Sequence, residues 1–299
     1  MQTVYQTITD ADHLLYRQWK RYGLHLLEYG SEFLGTAILM LVLVGIVSLL
    51  FAKNSPVPAH LASTHLRLFL AGLTLGGVSY LIAISPPGKL SGAHINPAFS
   101  TGMWLLGKMH ARDLFGYLIA QLAGGVAGTA LGVWLVGNWS AQIHDGLLWP
   151  GPHITAPAAF TAEVAATCIL FFVIFTCLSH KRTLRFTPAV AMLTVAILVC
   201  LDGNVSGCGM NPARWFGPAW MTHDWKLIWV YVGGPVVGML AAVGLRYTGV
   251  LRETVPHTGK MFHDANYRSI FRQDAAPTQL PKIVAQKISA ARAPDAPRS

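Results

Sequence analysis

Two stretches of the sequence decide the fold: SGAHINPA at residues 91–98 and GCGMNPAR at residues 207–214. In each, small residues lead into Asn-Pro-Ala, and a short apolar segment follows, at residues 96–106 and 211–221. Neither segment can cross a bilayer, because a spanning helix needs about 20 residues. Asn suits the N-cap of a helix, and Pro suits its first position. The pattern predicts two half-helices at membrane depth, where irregular backbone survives only beside protein or a water-filled cavity.

The composition is that of a membrane protein. Charged residues make up 12% of the chain and hydrophobic residues 53%, whereas about a quarter of a soluble protein is charged. Between Arg112 and Lys181 there is no Lys or Arg. If both tails are cytoplasmic, eighteen of the 22 basic residues lie on the inner side, as the positive-inside rule requires. This placement argues against nucleic acid as a partner, and the four cysteines have neither disulfide nor zinc spacing, so no metal or cofactor is expected.

The remaining chain contains six segments that are long and apolar enough to span a membrane. They are residues 31–51, 66–84, 113–136, 159–178, 187–201 and 227–245. Three spans and one half-helix form a unit that occurs twice, at about residues 31–137 and 159–248. Glu32 of the first unit corresponds to Glu163 of the second. Because each unit has an odd number of spans, the second copy is inverted. We therefore predict an all-α membrane protein with six transmembrane helices and two re-entrant half-helices.

The two tails are polar. Residues 1–30 are expected to form a cytoplasmic segment, either an amphipathic helix on the inner leaflet or a mobile tail. Residues 249–299 are polar, contain scattered Lys and Arg, and end in a Pro-rich sequence. That composition is typical of a largely disordered cytoplasmic tail.

The paired motifs, Asn96-Pro97-Ala98 and Asn211-Pro212-Ala213, predict how a pore would pass water and exclude cations. If each Asn caps its helix through its carbonyl, its amide NH2 group points beyond the helix end. Two such ends that meet head to head give a waist with two fixed donors and two positive helix dipole ends. A water oxygen can accept from the donors, while a cation is opposed by both dipoles. One motif alone would indicate only an ordinary helix start, but two at matching places make coincidence a remote explanation.

These stretches, with Phe216-Gly217-Pro218 and the glutamates of the first and fourth spans, resemble the signature loops of the aquaporin (major intrinsic protein) family. The resemblance covers about residues 31–248. It implies a passive channel for water and small uncharged solutes that excludes protons and ions, and it implies no enzymatic activity. It also implies a right-handed helix bundle that assembles as a homotetramer in the bilayer. The plasma (inner) membrane is the default location.

The resemblance also implies roles for individual residues. Arg214 would form the extracellular constriction, and an isolated Arg in an apolar segment is costly and usually functional. Counted by spacing, the other filter positions are Gly76, Val199 and Cys208, although a slip of one residue would replace Val199 by Leu198 or Cys200. All three are small, which predicts a wide filter that passes glycerol, urea or metalloid acids as well as water.

Three further residues are expected to support the pore. Glu32 and Glu163 would accept hydrogen bonds from backbone N–H groups of the re-entrant loops. His94 would brace the first loop and line the pore. Trp215, directly after the arginine, fits neither the water-channel nor the glycerol-channel pattern.

Other functions remain open. A strictly water-selective channel would have the same motifs. A secondary transporter also uses inverted repeats, but it needs ionisable or coupling-ion ligands near the midplane. An intramembrane enzyme needs a nucleophile–base pair or a metal cluster, and no such grouping lies in the predicted spans. A purely adhesive protein of this fold would show no permeability.

Overall fold

The computed structural model describes Gln18, Lys20 and residues 23–247 and 256–272, and within them it contains helices and no β-strand. The main helices are α1 (Leu26–Phe51), α2 (Thr64–Ile84), α3 (Pro97–Leu105), α4 (Ala111–Val136), α5 (Ala156–Ser179), α6 (Thr187–Asp202), α7 (Pro212–Thr222) and α8 (Gly234–Tyr247). Short helical turns occupy several of the connections, at Val57–His60, Pro86–Ser91, Asn138–Ala141, His144–Gly146 and Leu184–Phe186. The predicted all-α architecture is confirmed.

Within the described residues, the helices α1, α2, α4, α5 and α6 are long and apolar enough to cross a membrane. The sixth span is built from two pieces, a π-helical turn at Trp229–Gly233 and α8. Pro235 explains the break, because it lacks the N–H that would bond to the carbonyl of Tyr231 in a regular α-helix. The two half-helices, α3 and α7, are too short to span.

The spans pack in corresponding pairs, α1 along α4 and α5 along α8, while α2 and α6 pack together across the two halves. Glycines permit the close approach. A Cβ atom at Gly124 or Gly128 of α4 would overlap the backbone of Phe33 or Ala37 in α1. In the other half, a Cβ atom at Gly238 would overlap Val164 of α5. The inverted repeat is therefore visible in the helix packing as well as in the motifs.

The structure corrects one prediction about each tail. The first span begins at Leu26 rather than after residue 30. Glu28, near the start of this span, is fully buried. Its charge is tolerated there because its Oε1 atom lies 2.8 Å from Nε of Arg268. The greater part of the predicted amphipathic segment lies outside the described residues.

The second correction concerns the C-terminal tail. Residues 256–272 are not disordered: they lie against the helix bundle, with Lys260, Ile270 and Phe271 at most 1% exposed. Long-range polar contacts hold them there, and composition alone cannot indicate such contacts. The other residues of the predicted tail, 249–255 and 273–299, lie outside the described residues.

Candidate functional site

The two half-helices begin as the motifs predict. The Oδ1 atom of Asn96 accepts hydrogen bonds from the N–H groups of Ala98 and Phe99, at 2.9 and 3.5 Å. The Oδ1 atom of Asn211 accepts from the N–H of Ala213 at 2.9 Å. Pro97 and Pro212 occupy the first helical positions, where a missing N–H costs nothing. Each Asn carbonyl is thus committed to its cap, and each amide NH2 group points away from its helix.

The amide groups also join the two loops to each other. Asn96 donates from Nδ2 to the carbonyl of Met210, and Asn211 donates from Nδ2 to the carbonyl of Ile95, both at 2.9 Å. The N-termini of α3 and α7 therefore meet head to head. An amide NH2 group has two hydrogens, so each Asn keeps a second N–H for an oxygen atom in the adjoining space.

The loops before the half-helices have a strained backbone that repeats between the halves. Ala93 and Ile95 have φ angles of 53° and 42°, and Cys208 and Met210 have φ angles of 53° and 52°. The left-handed conformation costs about 1–2 kcal/mol per L-residue, and a β-branched residue such as Ile95 adopts it rarely. Such strain persists only where the surroundings enforce it.

Two buried glutamates, Glu32 and Glu163, hold the loops in this strained conformation. The carboxylate of Glu32 accepts from the N–H groups of His94 and Ile95 at 2.9 and 2.6 Å. The carboxylate of Glu163 accepts from the N–H groups of Gly209 and Met210 at 2.6 and 2.8 Å. Both side chains are fully buried. Each glutamate thus binds two successive N–H groups of the loop that leads into its own half-helix.

Two tyrosines complete the bracing, and the sequence predicted this role for neither of them. Tyr117 donates its hydroxyl to the carbonyl of Ser91 at 2.5 Å, and Tyr231 donates to the carbonyl of Ser206 at 2.8 Å. Tyr117 lies seven residues before Gly124-Gly125, whereas Tyr231 lies two residues before the corresponding Gly233-Gly234, so the repeat pattern could not match them. Only the packing of α4 and of the π-helical turn brings both to equivalent serines.

His94 belongs to a chain of hydrogen bonds. Gln121 donates from Nε2 to Glu32 at 2.8 Å and to the hydroxyl of Ser100 at 2.9 Å. The Ser100 hydroxyl lies 3.0 Å from Nδ1 of His94, and Nε2 of His94 lies 2.8 Å from the carbonyl of Gly259. Because a carbonyl can only accept, Nε2 carries the hydrogen, and in the neutral ring Nδ1 then accepts from Ser100.

A cavity of about 130 Å³ connects these elements. Its lining includes both motif asparagines and four of the other predicted residues, His94, Val199, Cys208 and Arg214. Most of the remaining wall is apolar, formed among others by Leu39, Leu75, Phe171, Ile174 and Val195. Met261, from the C-terminal tail, also lines it. The structure therefore brings all but one of the predicted cavity-lining positions to one space.

The exception is Gly76, which is buried but is not part of this lining. A Cβ atom there would lie 2.7 Å from the carbonyl oxygen of Met192 and 2.9 Å from its Cα, so Gly76 faces the backbone of α6. On α2, the cavity is lined by Leu75 and Ser79 instead. Counting residues along the chain cannot show that this glycine packs against another helix.

The contacts around Arg214 explain why a tryptophan, Trp215, follows it. Arg214 donates from Nη1 to the carbonyl of Gly146 at 3.4 Å. Trp215 is 1% exposed and packs within the aromatic core, stacked on Tyr231 at 6.1 Å and edge-on to Trp225 at 5.9 Å between ring centroids. Trp215 therefore supports the tyrosine that braces the second loop, which accounts for a residue that fitted neither sequence pattern.

Comparison with known proteins gives a consistent result. The model of the family described as Major intrinsic protein matches residues 20–247. Aquaporin AqpM of Methanothermobacter marburgensis is 34% identical over 233 residues, which cover 73% of this chain and 95% of that protein. The probable aquaporin NIP7-1 of Arabidopsis thaliana is 29% identical over 228 residues, or 76% and 77% of the two chains.

Among solved structures, the aquaglyceroporin from Plasmodium falciparum superposes with a TM-score of 0.62. Its sequence identity is 24%, and the match covers 77% of this chain and 98% of that one. At this identity the likeness concerns the fold.

Proposed function

The chain belongs to the major intrinsic protein family, and from this premise we propose that the cavity between Met261 and Arg214 is its conduction path. Members of the family are passive channels for water and small solutes, and this chain is one of them. One observation carries the proposal: the asparagines of both motifs are fixed head to head and line the same cavity.

The geometry supports selection against ions. A solute oxygen at the waist accepts from the second N–H of Asn96 or Asn211. The N-termini of α3 and α7 both direct their positive dipole ends at the same space, which opposes a proton or a cation. Arg214 adds a positive charge to the lining nearby. These are binding and electrostatic roles, and none of them requires catalysis or a coupling ion.

We propose that the path passes glycerol, urea and similar small uncharged solutes together with water. Val199 and Cys208 are small for filter positions, and the lining is mainly apolar, which suits the carbon backbone of a polyol. Gly76 does not contribute to this width, because the backbone of α6 occupies the space in front of it. The proposed solute range therefore rests on Val199 and Cys208.

Stopped-flow light scattering of proteoliposomes tests this proposal. We expect rapid shrinkage in an impermeant sucrose gradient, and rapid re-swelling after the initial shrinkage in glycerol. Shrinkage without re-swelling would instead establish the strictly water-selective alternative. Solute flux that depended on an ion gradient would support a secondary transporter, and liposomes without protein provide the background rate.

We further propose that both termini face the cytoplasm of a plasma (inner) membrane and that the channel is a homotetramer. The distribution of Lys and Arg supports the orientation. Protease digestion of right-side-out and inside-out vesicles tests it: residues 256–272 should be cleaved only in inside-out vesicles.

A further inference from the structure

The C-terminal residues 256–272, here named the tail strap, lie at one end of the cavity. In an inverted repeat the loop before Asn96 enters from one side of the bundle, and the loop before Asn211 enters from the other. The tail strap binds the first of these loops, whereas Arg214 follows the second. The strap and the filter arginine are therefore at opposite ends of the conduction path.

The backbone of the strap docks on the first re-entrant loop. The N–H of Met261 donates to the carbonyl of Gly92 at 2.9 Å. The carbonyl of Gly259 accepts from Nε2 of His94 at 2.8 Å. Between these two bonds the chain is held directly against the loop that carries Asn96. The side chain of Met261 then points to the path, since it lines the same cavity as Asn96.

The strap is anchored by a buried ammonium group. Lys260 is fully buried, and its Nζ donates to the carbonyls of Lys89 at 2.7 Å and of Arg268 at 2.8 Å. An ammonium group tolerates burial only when its hydrogens are accepted. Lys260 therefore attaches the strap to the bundle, through Lys89 of the short helix Pro86–Ser91, and also links two parts of the strap to each other.

Two ion pairs and an aromatic contact add to the attachment. Arg268 binds the buried carboxylate of Glu28 through two parallel bonds, at 2.8 and 3.1 Å. Lys89 lies 3.0 Å from the carboxylate of Asp264. Phe271 is fully buried, with its ring centroid 5.1 Å from that of His94. Ile270 and Phe271 also pack in an apolar cluster with Met109 and Tyr117. Within the described residues the strap contains no helix, so its release would not unfold a span.

From this arrangement we propose that the tail strap is a plug of the conduction path, with Met261 as the residue that narrows its inner end. The inference rests on the conduction path proposed above. A segment that served stability alone would not need a side chain in the cavity. Methionine is unbranched and flexible, and it fills irregular apolar space such as the wall formed by Leu39, Ala93 and Ile95. Solute flux then depends on how often the strap moves away.

Water permeability of proteoliposomes containing the full chain tests the plug. Met261→Ala removes the side chain from the path but keeps the backbone bond to Gly92. Arg268→Gln weakens the attachment at a distance from the path. We expect each variant to raise the water permeability per protein about tenfold. If the strap is docked most of the time, weakening its docking equilibrium about tenfold raises the fraction of open channels by the same factor. His263→Ala alters an exposed residue of the strap and should leave the permeability unchanged.

A double variant separates release of the strap from general damage. Because Glu28 and Arg268 act through one ion pair, Glu28→Gln with Arg268→Gln should be no more permeable than either single variant. Unchanged or reduced permeability of Met261→Ala and Arg268→Gln, at normal protein incorporation, would overturn the plug. Background permeability in every variant would overturn the proposed conduction path, and the plug with it. Measurable flux in the unaltered chain that rises in Met261→Ala would support both.

Discussion

At the scale of single residues, buried glutamates stabilise a strained backbone. Each carboxylate accepts hydrogen bonds from two successive N–H groups in a loop that contains left-handed residues. A buried charge is tolerated because these N–H groups satisfy it. The same bonds hold the carbonyls of Ile95 and Met210 where the opposite asparagines can reach them. Glu32 and Glu163 are therefore positioning residues for the waist rather than residues that touch the solute.

Glu163→Gln should destabilise the protein and lower its water permeability. The amide has one acceptor oxygen in place of two, so its NH2 group faces the N–H of either Gly209 or Met210. An unsatisfied buried donor costs about 1–3 kcal/mol. Thermal unfolding in detergent and stopped-flow permeability measure the two effects. Asp145→Asn, at a partly exposed loop carboxylate, is the matched control and should change neither.

Cys208 predicts inhibition by mercurials. Its thiol is 3% exposed and lines the cavity near Arg214, so a bound mercury atom would obstruct the path by its bulk. Mercuric chloride should therefore reduce the water permeability, and Cys208→Ser should prevent that reduction. Serine replacements of Cys168, Cys177 and Cys200 are the controls. If the Cys208→Ser channel were still inhibited, Cys208 would not be at the constriction.

At the scale of secondary-structure elements, the contact between α2 and α6 uses the glycines of α2. A Cβ atom at Gly72 would lie 2.8 Å from the Cβ of Val199, and one at Gly76 would lie 2.7 Å from the carbonyl oxygen of Met192. The small side chains thus bring the two spans together, and their closeness positions Val199 on the cavity wall. A small residue at position 76 is consistent with a wide filter in the sequence, but in the fold it serves helix packing.

Gly76→Phe should therefore destabilise the protein without changing its solute selectivity. Overpacking of this kind costs about 1–3 kcal/mol, which should appear as a lower thermal unfolding temperature. The ratio of glycerol to water permeability should stay the same in protein that still folds. A variant that kept water flux but lost glycerol flux would show that position 76 belongs to the filter. Gly77→Ala is the control, because a Cβ atom there has no neighbour within 4 Å.

Docking of the tail strap should depend on pH, because its last residue, Arg272, contacts His110. Nη2 and Nε of Arg272 lie 2.9 and 3.3 Å from Nδ1 of His110, which accepts only when the ring is neutral. Burial and then the charge of Arg272 lower the pKa of His110; Arg112 and His25 act in the same direction, and Asp113 opposes them. The docked strap thus binds fewer protons than the released one. Release of the strap removes the Arg272 charge, so the pKa of His110 rises toward the ordinary histidine value of about 6.5. Docking is therefore most stable above that range and weakens as the pH falls toward the lower docked pKa.

Water permeability should accordingly rise on acidification below about pH 6.5. His110→Asn keeps a neutral acceptor and should remove this rise. The Asp264 carboxylate is not involved in this range, because the N–H of Asn266, and also Lys89, hold its pKa below the usual value. A permeability that stayed constant between about pH 7 and 5 in the unaltered chain would contradict the assignment to His110.

At the scale of the whole molecule, the inverted repeat produces a symmetric waist with two different ends. The asparagines, glutamates and tyrosines of the two halves form matching contacts around the waist. Arg214 occurs at one end only, and the tail strap occurs at the other. In the proposed conduction path, discrimination between solutes and control of flux therefore reside at separate ends, and the two helix dipoles at the waist would oppose cations arriving from either side.

The proposed homotetramer is a prediction at this scale. Light scattering of detergent-solubilised protein should give a protein mass of about four times the chain mass of 32.4 kDa. Each chain carries its own cavity, so the permeability per chain should not change on dilution as long as the assembly persists. A monomeric mass in mild detergents with full activity would contradict the tetramer but not the pore.

The sequence alone determined the elements and the motif residues. Apolar runs, Asn caps and Pro at the first helical position act over a few residues, so they predict where the spans and half-helices lie. Asn96 and Asn211 follow from those local signals, because each caps a half-helix. Cys208 and Arg214, three residues to either side of Asn211, were expected at the filter only because this loop resembles that of the aquaporin family.

The tertiary structure alone decided the rest. A span that is apolar on most sides does not reveal which face meets the cavity, so the packing of Gly76 on α6 appears only in the fold. The bond between His94 and Gly259 joins residues 165 positions apart. The polar tail strap becomes ordered because buried partners such as Glu28 and the carbonyl of Lys89 satisfy its charges, and those partners come together only when the bundle forms.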